Sequence, residues 1–151
     1  MKIISKRNLV VISIIGIILT GTIGYFKFPL KADQVIIQLD NIDKIHFGFY
    51  KEESIMIYEV ELDEPEEIKK ILGNFNYSKY TRIPGYKNIA NDGRYLSMVV
   101  FYGEDFKNQI LEINDQGYLV VERNTYKLTE NQSLIFDELY QLLVADHKPI
   151  H

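Results

Sequence analysis

Residues 9–26, LVVISIIGIILTGTIGYF, are eighteen consecutive positions without a charge. As a helix rising about 1.5 Å per residue they reach roughly 27 Å, close to the thickness of a hydrocarbon core. Lys2, Lys6 and Arg7 precede the run, and Lys27 and Lys31 follow it. A terminal run this apolar, with basic flanks, argues against the buried helix of a globular domain. An uncleaved anchor and a cleaved secretory signal remain. Three basic side chains and the amino group before the run, against two after it, favour an N-terminus inside and the rest outside. A signal would end in a small-residue site. The available positions follow Gly24, with Thr22 two residues earlier, or Ala32, with Leu30 two residues earlier. Neither has the A-x-A form, so the anchor is the preferred reading and secretion after cleavage its alternative.

The chain therefore divides into residues 1–31, a basic segment and transmembrane anchor, and residues 32–151, one extracytoplasmic domain with a single core. Five of the 17 Lys and Arg lie in the first part and none of the 21 Asp and Glu does. The second part keeps 12 basic and 21 acidic side chains, a net charge of −9. Such a surface repels nucleic acid, so no nucleic-acid partner is expected. Eleven Tyr and eight Phe give the core material that disordered chains lack. There is no Cys, which excludes disulfides, thiol catalysis and a lipid-modified cysteine.

Within residues 32–151 the apolar pattern changes period several times. Val35, Ile36, Ile37 and Leu39 read as strand material, and Ile45, Phe47 and Phe49 alternate with His46, Gly48 and Tyr50. In IMIYEVEL, Met56, Tyr58, Val60 and Leu62 share a face. Ile68, Ile71, Leu72 and Phe75 then follow helical spacing, after Pro65 and a capping box of Asp63 and Glu66. Residues 76–93 show neither period. RYLSMVVFY, NQILEI and YLVVE read as three strands, the last two joined by Asp115-Gln116-Gly117, with TYKL a short extended piece. Thr129 and Gln132 suggest a second capping box, before a helix built on Ile135, Phe136, Leu139, Leu142 and Leu143. The order is β-β-α-β-β-β-α. Short turns imply antiparallel pairing, and one apolar stripe per helix suits one covered face, an α+β two-layer sandwich.

Few residues are arranged for chemistry. Eight carboxylates fall within residues 52–67, but their spacing is not that of a calcium loop, and Asp63, Glu64, Glu66 and Glu67 suit a helix N-terminus. His46, His147 and His151 are too scattered for zinc. Ser54, Ser78, Ser97 and Ser133 lack a nucleophile context. No catalytic residue, metal or cofactor is expected.

The stretch NYSKYTRIPGYKNIANDGR differs in character. No acidic residue occurs across 68–91, while Lys69, Lys70, Lys79, Arg82 and Lys87 contribute five positive charges. Tyr77, Tyr80 and Tyr86 are interleaved with them. Tyr and Arg dominate interface hot spots, and long irregular connections are often binding loops. Tyr77, Lys79, Tyr80, Arg82, Tyr86 and Lys87 are therefore the candidate partner-binding residues. The competing reading is a basic crossover whose tyrosines fold back on the sheet.

The basic-apolar N-terminus, EPEEIKKIL, the hairpin INDQGYLVV and FDELYQLL together resemble small membrane-anchored or secreted α+β domains of Gram-positive bacteria whose function is unknown. The resemblance spans most of the chain and implies a non-enzymatic role in the cell envelope, with no catalytic residues to carry over. The expectation is a membrane-tethered extracytoplasmic interaction module that meets an envelope protein or anionic polymer. Its alternative is an immunity or inhibitor protein that blocks a toxin or hydrolase through its acidic face. An envelope hydrolase ranks last.

Overall fold

A computed structural model describes residues 6–51, 54–103 and 107–144. The apolar run lies within helix α1 (Lys6–Lys27), none of whose residues is buried. Strands β1 (Ile42–Lys51) and β2 (Ser54–Leu62), helix α2 (Pro65–Phe75) and strand β3 (Tyr80–Ile83) follow. Then come β4 (Tyr95–Tyr102), β5 (Lys107–Asn114), β6 (Tyr118–Val121), β7 (Asn124–Leu128) and helix α3 (Gln132–Val144). The fold is α+β. Its strands form one antiparallel sheet in the order β2-β1-β4-β5-β6-β7-β3.

Register aligns Ile45 with Val100, Phe47 with Met98, Met98 with Leu111, Leu96 with Ile113, and Ile113 with Leu119. All of these are buried, and they form one cluster with Ile68, Ile71, Leu72 and Phe75 of α2 and Ile135, Phe136 and Leu139 of α3. Each such side chain contributes about 1.5–3 kcal/mol through burial, so this face sets the position of everything else.

The sheet has two strands more than the five predicted. Tyr80–Ile83 pairs with β7 inside the stretch read as aperiodic, and the extended piece TYKL lies within β7. The strand expected over 35–39 is instead a pair of short 3-10 turns, Ala32–Gln34 and Leu39–Asn41. Ala32, Val35, Ile36 and Leu39 are buried while Ile37 is 63% exposed. That is the i, i+3, i+4, i+7 spacing of a helical face, which the run Val-Ile-Ile disguises.

Neither capping box forms. Glu64 stands at the N-cap of α2 without a side-chain cap bond, although Pro65 does occupy the first turn. The Thr129 hydroxyl donates to the Lys79 carbonyl, and α3 starts three residues later, after Asn131 at φ +52°. His147 and His151 lie outside the described residues, as do the side chains of Met56, Tyr58, Val60 and Leu143.

Candidate functional site

The six residues singled out from the sequence do not form one surface. Tyr80 is 0% exposed, and its hydroxyl donates to the Phe75 carbonyl at 2.6 Å. It is a core residue, and burial pushes its phenol well above the ordinary value. The remaining five separate. Tyr77, 61% exposed, follows α2, and its carbonyl accepts Asn131 Nδ2 at 2.9 Å. Lys79 is exposed and lies 3.4 Å from Glu130. Lys87 pairs with Asp92 and stands 4.9 Å from the centre of the Tyr118 ring. Among the described residues Arg82 and Tyr86 share a cavity.

That cavity, of about 250 Å³, sits where α1 meets the sheet. Leu30 and Tyr80 exchange both backbone bonds, N to O at 2.8 and 2.9 Å, so the chain leaving α1 pairs with the sheet's terminal strand β3. The Arg82 guanidinium donates to the Tyr25 carbonyl at 3.3 Å and lies 4.3 Å from the centre of that residue's ring. The cavity is lined by Tyr25, Phe26, Arg82, Ile83, Gly85, Tyr86, Arg123, Asn124, Thr125 and Tyr126. Two of these are arginines and none is acidic. Burial also raises the Tyr126 phenol, an effect that nearby Arg82 opposes.

Sequence reasoning missed Tyr25, Arg123 and Tyr126. An aromatic residue at the end of an apolar helix is a legible interface signal. Arg123, in the turn between β6 and β7, carries no local pattern.

Residues 84–93 are not an open loop. They cross the sheet face opposite the main core. The Lys87 amide donates to Thr125 Oγ1 at 2.9 Å. Asn114, fully buried, donates through Nδ2 to the carbonyls of Ile89 and Asp92 and accepts the Tyr118 amide at 3.0 Å. Ile89 and Val120 are buried yet stand apart from the main cluster. The tyrosine-rich segment therefore divides: Tyr80 enters the core, residues 84–93 cover a second face, and Tyr77 and Tyr86 remain outside.

The carboxylates of the α2 entrance stay on the surface, with Lys44 and Glu61 paired at 2.8 Å. Hydrogen bonding to Glu61 raises the Lys44 pKa, and the same bond lowers that of Glu61. Among the described residues no group of three or more His, Asp or Glu side chains is placed to hold a metal ion. In comparisons with known proteins, no family model, curated protein or solved structure matches this chain.

Proposed function

We propose that this chain is a membrane-tethered, extracytoplasmic interaction module of the cell envelope, without catalysis. The domain is a two-layer sandwich held at the surface by residues 9–26, with the basic N-terminus inside. The observation that carries the reading is the way the segment after α1 is built into the domain. Leu30, Ala32, Val35 and Ile36 are buried in the core, and Leu30 pairs with β3. Cleavage after Ala32 would remove a strand partner together with two core side chains. These contacts therefore oppose cleavage after Ala32, which supports an anchor over a signal ending there. Cleavage after Gly24 would leave these bonds in place, and there the missing A-x-A form of the site favours the anchor.

The binding residues are two exposed tyrosines that flank β3 in the chain, of which Tyr86 lines the cavity beside α1. Tyr77 and Tyr86 are 61% and 59% exposed, large amphipathic rings of the kind that anchor protein contacts. The partner is an envelope protein close to the membrane. A photocrosslinking residue at position 86, and separately at 77, tests this in cells. One dominant protein adduct, absent when the crosslinker is moved to exposed Gln141 on α3, is the expected result. Adducts of equal strength from all three positions would reject the reading.

The immunity or inhibitor reading has its own support. Asp63, Glu64, Glu66 and Glu67 are all exposed around the start of α2. A basic toxin docked there would bind less tightly as salt rises and would be lost on neutralising these four residues. Variants at Tyr86 would leave it unaffected.

A further inference from the structure

The cavity beneath the end of α1 combines three properties not found together elsewhere among the described residues. It is lined by Arg82 and Arg123 with no carboxylate, its rim is aromatic, and part of its wall is the last turn of the apolar helix. The last property fixes its depth. Phe26 lies about nine residues beyond the middle of the span, roughly 13 Å along the axis, against a hydrocarbon half-thickness of about 15 Å. The cavity therefore opens at the level of lipid headgroups. That depth rests on the tether proposed above and is independent of any protein partner.

Charge and donor geometry define what fits there. A guanidinium presents five N–H donors in a planar fork that matches two oxygens of a phosphate. Arg82 spends one on the Tyr25 carbonyl, which also fixes its plane against the Tyr25 ring. Among the described residues neither Arg82 nor Arg123 is paired with a carboxylate. Two unneutralised arginines beside one cavity repel each other, and an anion between them removes that cost. Tyr25, Tyr86 and Tyr126 are amphipathic rings suited to the boundary between headgroup and acyl chain.

We infer that Arg82 and Arg123 bind the phosphate group of an anionic membrane phospholipid, seated in the cavity between α1 and the β6–β7 turn. The domain is thereby held against the bilayer in one orientation. Free inorganic phosphate offers the same oxygens and is the competing source of that chemistry.

The test uses the full-length chain in nanodiscs containing equal amounts of phosphatidylglycerol and phosphatidylcholine. Lipid retained after transfer to mild detergent is read by native mass spectrometry. Phosphatidylglycerol is expected to be retained in preference. Arg123→Gln should reduce that preference about fivefold, the equivalent of about 1 kcal/mol per basic side chain near an anionic surface. Arg82→Gln should reduce it similarly, and Lys69→Gln should leave it intact. Because Arg123 is an exposed turn residue, its substitution keeps the test valid even where Arg82→Gln disturbs the junction.

Equal retention of the two lipids by the unsubstituted chain overturns the inference. So does a preference that survives both arginine substitutions. A second arm adds inorganic phosphate to phosphatidylcholine nanodiscs. Arg123-dependent phosphate binding without any preference for phosphatidylglycerol would assign the cavity to the free anion and overturn the lipid assignment. The intact mass of chain extracted from membranes separates the two readings. Loss of residues before Tyr25 defeats the tether, whereas an intact chain without lipid preference defeats only this inference.

Discussion

Arg82 grips Tyr25 twice, donating to its carbonyl at 3.3 Å while its guanidinium lies 4.3 Å from the centre of the ring. Gly24, one residue earlier, already has the Phe28 amide on its carbonyl. The Tyr25 carbonyl belongs to the last four of α1, which no helical amide satisfies. A strand residue thus closes the C-terminal end of the apolar helix, with the positive charge that the helix dipole favours there. Together with the Leu30–Tyr80 pairing, this makes the link between helix and domain stiff rather than flexible.

Arg82→Ala should loosen that link while leaving the sheet folded. Spin labels at exposed Leu19 and Asn108 would report it as a broader distance distribution in nanodiscs. The thermodynamic cost should be about 1–2 kcal/mol, from one charged hydrogen bond and one cation–π contact. An unchanged distribution would mean that the Leu30–Tyr80 pairing alone fixes the geometry.

Tyr80 predicts a different outcome. Tyr80→Phe leaves the Phe75 carbonyl buried without its donor, at a cost of about 1–3 kcal/mol in unfolding free energy, read from a urea titration. Tyr80→Ala adds a cavity and should cost about 3–5 kcal/mol. A Tyr80→Ala variant that loses partner binding therefore reports on packing rather than recognition, because the Tyr80 side chain is buried in the core. Tyr86 is the position that separates contact from stability.

Much of this was legible in the sequence, and the failures have physical causes. The amphipathic stripes of α2 and α3 place Ile68, Ile71, Leu72, Phe75, Ile135, Phe136 and Leu139 in the core, where they are found. The hairpin turning at Gly117 is also where its residues imply, with φ +74° there. Missed were elements whose identity depends on partners distant in sequence. YTRI is a strand because β7 pairs with it, although its alternation is too short to read. Asn114 is polar and fully buried because residues 89 and 92 offer it carbonyls. The cavity of Arg82 and Arg123 joins two residues 41 positions apart in the chain, so no spacing could reveal it.

The crossing segment 84–93 can be released selectively. Gly93 adopts φ +100°, and a Cβ there would collide with Asp115 Oδ1. Gly93→Ala is therefore strained twice and should destabilise by about 1–3 kcal/mol. Asn114→Ala withdraws the bonds to the Ile89 and Asp92 carbonyls. Hydrogen exchange in residues 86–93 should quicken in both variants while α2 keeps its protection. Uniform loss of protection would mean that the segment unfolds only with the whole domain.

Removing the apolar helix should be tolerated only to a definite point. A chain beginning at Phe28 retains Leu30, Ala32, Val35 and Ile36 and should fold as a soluble domain. One beginning at Ile37 loses three large aliphatic side chains worth about 1.5–3 kcal/mol each, comparable with a total stability of about 5–15 kcal/mol. Circular dichroism and a urea titration of the two would distinguish them. A stable fold in the shorter chain would show that the post-helix segment is dispensable, and would remove the case against cleavage after Ala32.

Alkaline pH should unfold the domain before its lysines have all discharged. Burial raises the phenols of Tyr80 and Tyr126, and it pushes Tyr102 up to about 12 with Glu122 adding to the effect. In the unfolded chain each phenol titrates near about 10. Between these limits the folded state holds protons that the unfolded state has released, so stability falls as pH rises. It is complete below about pH 10 and declines from there through about pH 12 and beyond. Lys127, held below its ordinary value by burial and by Lys87, acts in the opposite sense and offsets part of the loss. Urea midpoints from about pH 9 to about pH 11.5 should therefore decrease progressively across the range in which unfolded tyrosines ionise. Tyr102→Phe should make that decline shallower, since it removes one phenol whose proton the fold retains. A midpoint independent of pH across this range would mean that these phenols ionise in the folded chain as readily as in the unfolded one.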